Sequence, residues 1–84
     1  MKRDAAGNPL DADGWPIRVG DRILSVGGTG EGHEFTVVGL DDFFVRVSGP
    51  YSDFGVTEDL NGFGKYAEHC RLTIDPEIRL DVGL

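Results

Sequence analysis

His69 and Cys70 stand side by side, and an imidazole next to a thiol is the pairing that makes cysteine a nucleophile. The residues around them alternate as a strand, with Cys70, Leu72 and Ile74 on one face and His69, Arg71 and Thr73 on the other. The two groups are therefore expected to point apart, and Cys70 reads as a small buried apolar residue. His33 lies beside a glycine-rich run with Glu31 and Glu34 close in sequence, but a metal would need further ligands, and His69 is the only other histidine. The stretch from Thr57 partly fits a calcium loop, with Asp59, Asn61, Gly62 and Glu68 at the third, fifth, sixth and twelfth positions. Thr57 stands where the first carboxylate belongs and no helices flank the stretch, so a glycine turn closed by Asp and Asn is the simpler reading. Ser25, Ser48 and Ser52 have no nucleophile setting, and the glycines at 27–32 lack the Lys-Ser/Thr of a phosphate loop. The expectation is a protein with no catalytic residue, no metal and no cofactor.

Charge is distributed unevenly. Acids concentrate in the connections, at Glu31, Asp41, Asp42, Asp53, Glu58, Asp59 and Asp75, whereas Arg18, Arg22, Arg46, Arg71 and Arg79 fall on or beside strands. Alternation puts Arg46 on the face of Phe44 and Arg71 opposite Leu72, both toward solvent. The plain role for these arginines is cross-strand pairing with Glu34 or Glu68, their stems covering apolar surface. The functional role is a mixed arginine and aromatic face that grips a protein. The acidic loops add another chemistry, since carboxylates attract Lys and Arg as phosphates do and can occupy an enzyme's basic groove. Partner-binding residues are thus expected at Glu31, Glu34, Asp41, Asp42, Phe44, Arg46, Asp53, Glu58, Asp59 and Arg71.

The whole composition agrees with binding rather than catalysis. A chain of 84 residues forms one small domain with little core to spare for an internal cavity. A net charge of −7 opposes a general affinity for nucleic acid or an anionic membrane and favours solubility or a basic partner. No stretch is apolar for long enough to span a bilayer, the start Met1-Lys2-Arg3-Asp4 leads into no apolar run, and the single cysteine fits a reducing compartment; the expected location is the cytoplasm.

These groups must be positioned by short strands, because thirteen glycines and four prolines cut the chain into small pieces without sustained helical periodicity. Residues 1–14 read as a loosely ordered lead-in with turns at Asn8-Pro9 and Asp13-Gly14, residues 15–76 as the domain, and residues 77–84 as a terminal strand or tail. Strand material runs from Ile17 to Val26 around a tight turn at Gly20-Asp21. The strongest element is a hairpin of Glu34–Leu40 and Phe43–Val47 about Asp41-Asp42. Ser48 to Lys65 reads as a long loop folded over the core. Tyr66 to Ile74 ends in a strand, and Ile78, Leu80 and Val82 alternate again, offering an edge for its own sheet, a second copy or a partner. The fold class is all-β, a small antiparallel barrel of about five strands with glycine-rich loops.

At Arg18-Val19-Gly20-Asp21-Arg22-Ile23 the chain resembles the opening turn of SH3-like barrels of bacterial and phage proteins, and residues 17–74 are similar to the KOW motif of ribosomal and elongation proteins. Glu31 and Glu34 stand where nucleic-acid binders place Lys or Arg, and the aromatic run and paired Trp of proline-binding SH3 domains are missing. The resemblance implies a binding platform, of phage or mobile-element type, and carries over no functional residue. The expected function is a non-catalytic protein-interaction module that binds, and in its sharper form inhibits, a nucleic-acid-handling enzyme through acidic loops. The alternatives are a KOW-like nucleic-acid binder using Arg22, Arg46 and Arg71, and a virion assembly subunit that self-associates through its terminal strand.

Overall fold

The computed structural model describes residues 2–53 and 55–73. It is all-β: five antiparallel strands, β1 (Arg22–Ser25), β2 (Glu34–Leu40), β3 (Val45–Asp53), β4 (Val56–Lys65) and β5 (Cys70–Leu72), form one sheet in the order β4-β3-β2-β1-β5. A 3₁₀ turn, Ala67–His69, carries the chain from β4 to β5. The chain runs as a four-strand meander and then returns beside β1, which bears out the all-β class. Among the described residues, however, no backbone ladder joins β4 to β5. No helix there is long and apolar enough to cross a membrane.

The turn before β1 forms from side-chain chemistry. Asp21 accepts from the Arg18 amide (2.8 Å) through its own carboxylate, and Gly20 takes the left-handed backbone, φ 97°, that a side chain resists. The turn docks on β2, where Gly20 N donates to Val37 O and Val37 N donates to Asp21 O, each at 2.8 Å. The β2–β3 hairpin closes on Asp41, as its turn residues predict.

Two elements differ from the sequence reading. Ser48 to Lys65 is no loop: β3 continues to Asp53 and β4 returns from Val56. Glycine and proline masked these strands because the alternation slips at a bulge, where the register passes from Val47↔Phe63 to Gly49↔Leu60. Gly49 (φ 147°) approaches Phe35 so closely that a Cβ would sit 3.3 Å from its ring. The strand expected at the end of Tyr66–Ile74 is β5, Cys70–Leu72, and the residues before it form the 3₁₀ turn rather than continuing the alternation back to His69. Ile74 and the alternating Ile78, Leu80 and Val82 lie outside the described residues.

Alternate residues of each strand face inward, and Ile23, Phe35, Val37, Val45 and Val47 join Ile17, Ala67 and Cys70 in a buried core, with Leu40, Tyr51, Leu60 and Leu72 packed around it. The lead-in is tied to this body. Its turns are at Asp4–Gly7 and Asp11–Gly14, while Pro9 is buried and Ile17 N donates to its carbonyl at 2.8 Å. Asp11, only 6% exposed, accepts from the amides of Asp13, Trp15 and Leu72.

Cys70 is wholly buried, its Sγ directed to Tyr66 O at 3.5 Å, and burial pushes the thiol up to about 11 from 9.0. The fold therefore keeps a proton that the unfolded chain releases near pH 9. Its stabilisation, about 3 kcal/mol for two pKa units, is complete below pH 9 and is lost as pH rises through about 11. Denaturant titrations at pH 8 and pH 11 should show that loss in the wild type and a smaller one in Cys70→Ala. At pH 8 a disulfide reagent should label the folded thiol at least ~100-fold more slowly than the denatured one.

Candidate functional site

The β2–β3 turn sets the first part of the site. Asp41 Oδ1 accepts from the amides of Phe44 (2.7 Å) and Phe43 (3.0 Å), so the carboxylate caps its own turn. Its other oxygen receives Arg46, from Nε at 2.8 Å and from Nη2 at 2.6 Å. These amides, then the guanidinium, hold the Asp41 carboxyl below its ordinary value. Arg46 pairs with Gly64 on β4, whose missing side chain makes room for a cover: a Cβ there would lie 3.0 Å from Phe44 Cγ and 3.1 Å from Arg46 Nη1. The Arg46 guanidinium accordingly lies over the Phe44 ring, 5.4 Å from its centroid.

From Phe44 the rings continue. Tyr66, between β4 and the 3₁₀ turn, is tilted against Phe44 at 5.4 Å, and His69 meets Tyr66 edge-on at 5.7 Å. His69 in turn covers the glycine loop, where a Cβ on Gly27 would stand 2.9 Å from its Cδ2. A crevice of about 180 Å³ lies between this ladder and the loop, lined by Phe63, Tyr66, His69, Gly28, Thr29 and Lys65. Tyr66 is 51% exposed, Phe63 38% and Phe43, at the tip of the turn, 70%. One strip thus runs from Arg46 through Phe44 and Tyr66 to His69.

Behind the strip a lysine holds the loop. Lys65 faces inward opposite Val45 and is only 4% exposed. Its Nζ donates to Thr29 O (2.7 Å) and Gly27 O (2.9 Å), and Ser25 Oγ lies 3.1 and 3.2 Å from the carbonyls of Gly27 and Thr29. Burial lowers the Lys65 pKa. The clamp connects β4 to the loop that leaves β1, across the side of the sheet that no ladder closes.

Of the residues expected to bind a partner, the structure brings together Asp41, Phe44 and Arg46, with exposed Asp42 beside them. Asp53 ends β3, and exposed Glu58 and Asp59 lie opposite Tyr51 and Pro50 on β4. Eight strand steps of about 3.3 Å put the two ends of β3 about 26 Å apart, so the acids belong to different regions. Glu31 sits on the glycine loop and Glu34 opens β2.

The arginines do find carboxylates, but only one as the sequence suggested: Arg22 meets Glu34 at 3.2 Å, whereas Arg71 meets Asp13 at 3.0 Å and Arg46 meets Asp41. Residues 57–62 are extended in β4 rather than wound as a calcium loop, and no group of three His, Cys, Asp or Glu among the described residues could hold a metal. His69 turns to Tyr66 and Cys70 to the core, so they form no thiolate pair. Sequence reasoning missed Phe63, Lys65 and Tyr66 as site residues. Their signal was the alternation Phe63-Gly64-Lys65, which reads as a strand once the bulge is allowed for. Compared with protein-family models, curated proteins and solved structures, the chain matches none of them.

Proposed function

We propose that this chain is a non-catalytic protein-interaction module whose contact surface is the strip formed by Phe43, Phe44, Arg46, Phe63, Tyr66 and His69. The observation that carries this reading is the ladder of half-buried Phe44, exposed Tyr66 and half-buried His69, topped by a guanidinium and neighboured in sequence by the exposed rings of Phe43 and Phe63, the side-chain types on which binding energy concentrates. Arg22, Arg46 and Arg71 each hold a carboxylate, which argues against their use as a phosphate-binding patch.

A second reading, an inhibitor that sets carboxylates in an enzyme's basic groove, is favoured by one feature. Between Val47 and Gly64 the chain has no Lys or Arg, while Glu58 and Asp59 stand exposed on the β4 arm.

One capture experiment separates the two. The tagged protein is passed over nuclease-treated host lysate beside a Phe43→Ser/Tyr66→Ser variant and a Glu58→Gln/Asp59→Asn variant. The first reading expects a specific protein whose retention falls at least ~10-fold in the ring variant and is unchanged in the arm variant. The reverse pattern supports the inhibitor. Loss of all retention on nuclease treatment overturns both.

A further inference from the structure

We infer that the occupant of the ring strip is a positively charged, partly apolar segment of another protein, with a cationic side chain over the rings beside Asp42 and an aliphatic one in the crevice at Phe63. This rests on the interaction reading above and adds the partner's chemistry to it.

The strip already holds a cation in the required way, since the Arg46 guanidinium lies over Phe44. The molecule's own cations near it are engaged. Arg46 is neutralised by Asp41, and the Lys65 ammonium turns inward onto two carbonyls. Arg3 lies against the carbonyls of Gly7, Asp41 and Asp42. Two exposed carboxylates lie by the strip: Asp42 stands next to Phe43 in the turn, and Glu31 sits on the glycine loop close enough to act on the Lys65 charge, whereas Glu68 faces the depression lined by Lys2, Leu10 and Asp11. The crevice, walled by Phe63, Tyr66 and the glycine backbone, has room for one aliphatic side chain.

Charge selects among occupants. A second copy would bring −7 against −7, with Asp42 and Glu31 on both sides of the contact. A nucleic acid would meet the same acids with its phosphates. A Lys- or Arg-bearing segment satisfies rings and carboxylates together.

The test is selection of a randomised displayed peptide library on the full chain at about 50 mM salt, counter-selected against Phe43→Ser/Tyr66→Ser, with the enriched peptides then measured by fluorescence anisotropy. The expected pool has a mean net charge of about +2 or more, with an aliphatic residue recurring beside the basic ones. Affinity should fall at least ~10-fold in the ring variant and at about 500 mM salt. A second variant, Asp42→Lys/Glu31→Lys, keeps the rings and should lose the same peptides.

The inference is overturned by a neutral or acidic pool, or by peptides that bind the ring variant equally. It is also overturned by a wild-type dimer in sedimentation that the ring variant abolishes. Failure to enrich any peptide, alongside a lysate partner that still depends on Phe43 and Tyr66, overturns the basic-segment assignment alone and leaves the interaction reading standing.

Discussion

Lys65→Ala should lower the melting temperature by about 15 °C, because the fold has placed a donor with three protons where two backbone carbonyls converge. Each hydrogen bond to a charged group is worth about 1.5–3 kcal/mol, and each acceptor left dry costs a similar amount. A net loss of about 3 kcal/mol in a domain of this size corresponds to roughly 12–24 °C. Ser25 cannot take over. Its hydroxyl carries one proton and reaches one of the two carbonyls at a time, whereas the ammonium serves Gly27 O and Thr29 O together. Ser25→Ala should therefore cost only about 1 kcal/mol. Lys65→Met keeps the apolar stem that packs opposite Val45 and removes only the donor, so it should fall between the two.

Amide exchange locates the effect: in both Lys65 variants the loop amides from Gly28 to Gly32 should exchange faster, while Val37 and Val47 change only with global stability. Burial also holds the Lys65 ammonium below 10.5, so the unfolded chain keeps a proton that the fold gives up. This group alone therefore makes the fold more stable as pH rises toward 10.5, opposite in sign to Cys70. The difference between wild type and Lys65→Met should widen in that window. Equal melting curves for wild type and Lys65→Ala would remove the clamp as a stabilising device.

What could be read in the chain was local. Gly20-Asp21 and Asp41-Asp42 specify turns through their own side chains and backbone freedom, and the short runs Arg22–Ser25 and Glu34–Val37 alternate on either side of the glycine loop, so β1, β2 and the start of β3 follow. Alternation also placed Phe44 and Arg46 together and buried Cys70. What could not be read was whatever depends on a phase slip or a distant partner. The bulge between Val47 and Gly49 shifts β3 against β4, so Leu60 falls out of phase with Phe63 and Lys65, and glycines chosen for close approach to Phe35 and Phe44 look like loop residues. Lys65 as a type belongs at the surface, and only the convergence of the loop carbonyls explains why it is inside. Phe63 falls in that misread stretch and Tyr66 directly after it, which is why half of the ring strip was invisible while its Arg46 end was not.

Asp11 is the other residue whose sequence context, a run of Asp, Ala and Gly that looks like a solvated turn, hid its role. Its Oδ1 accepts from the amides of Trp15 (2.8 Å) and Asp13 (2.9 Å), and its Oδ2 from the Leu72 amide (3.0 Å) across the molecule on β5. A second bond, from Ala12 N to Cys70 O at 2.8 Å, runs in parallel, so the lead-in acts as an additional edge for the short β5. Asp11→Ala strips acceptors from three amides at once and should cost about 3 kcal/mol, with β5 and the 11–15 turn losing exchange protection together. Asp11→Asn keeps one carbonyl oxygen but presents an NH₂ where an acceptor is required. It should recover less than half of that loss, depending on which contact its oxygen serves. Arg71→Ala, which breaks only the exposed pair with Asp13, should cost less than about 1 kcal/mol and serves as the control for charge. If Asp11→Ala proved no more damaging than Arg71→Ala, the lead-in would be an appendage rather than part of the folded unit. If it unfolds β5, then Cys70 and His69 at the end of the ring strip are held in place by a carboxylate nearly sixty residues earlier in the chain.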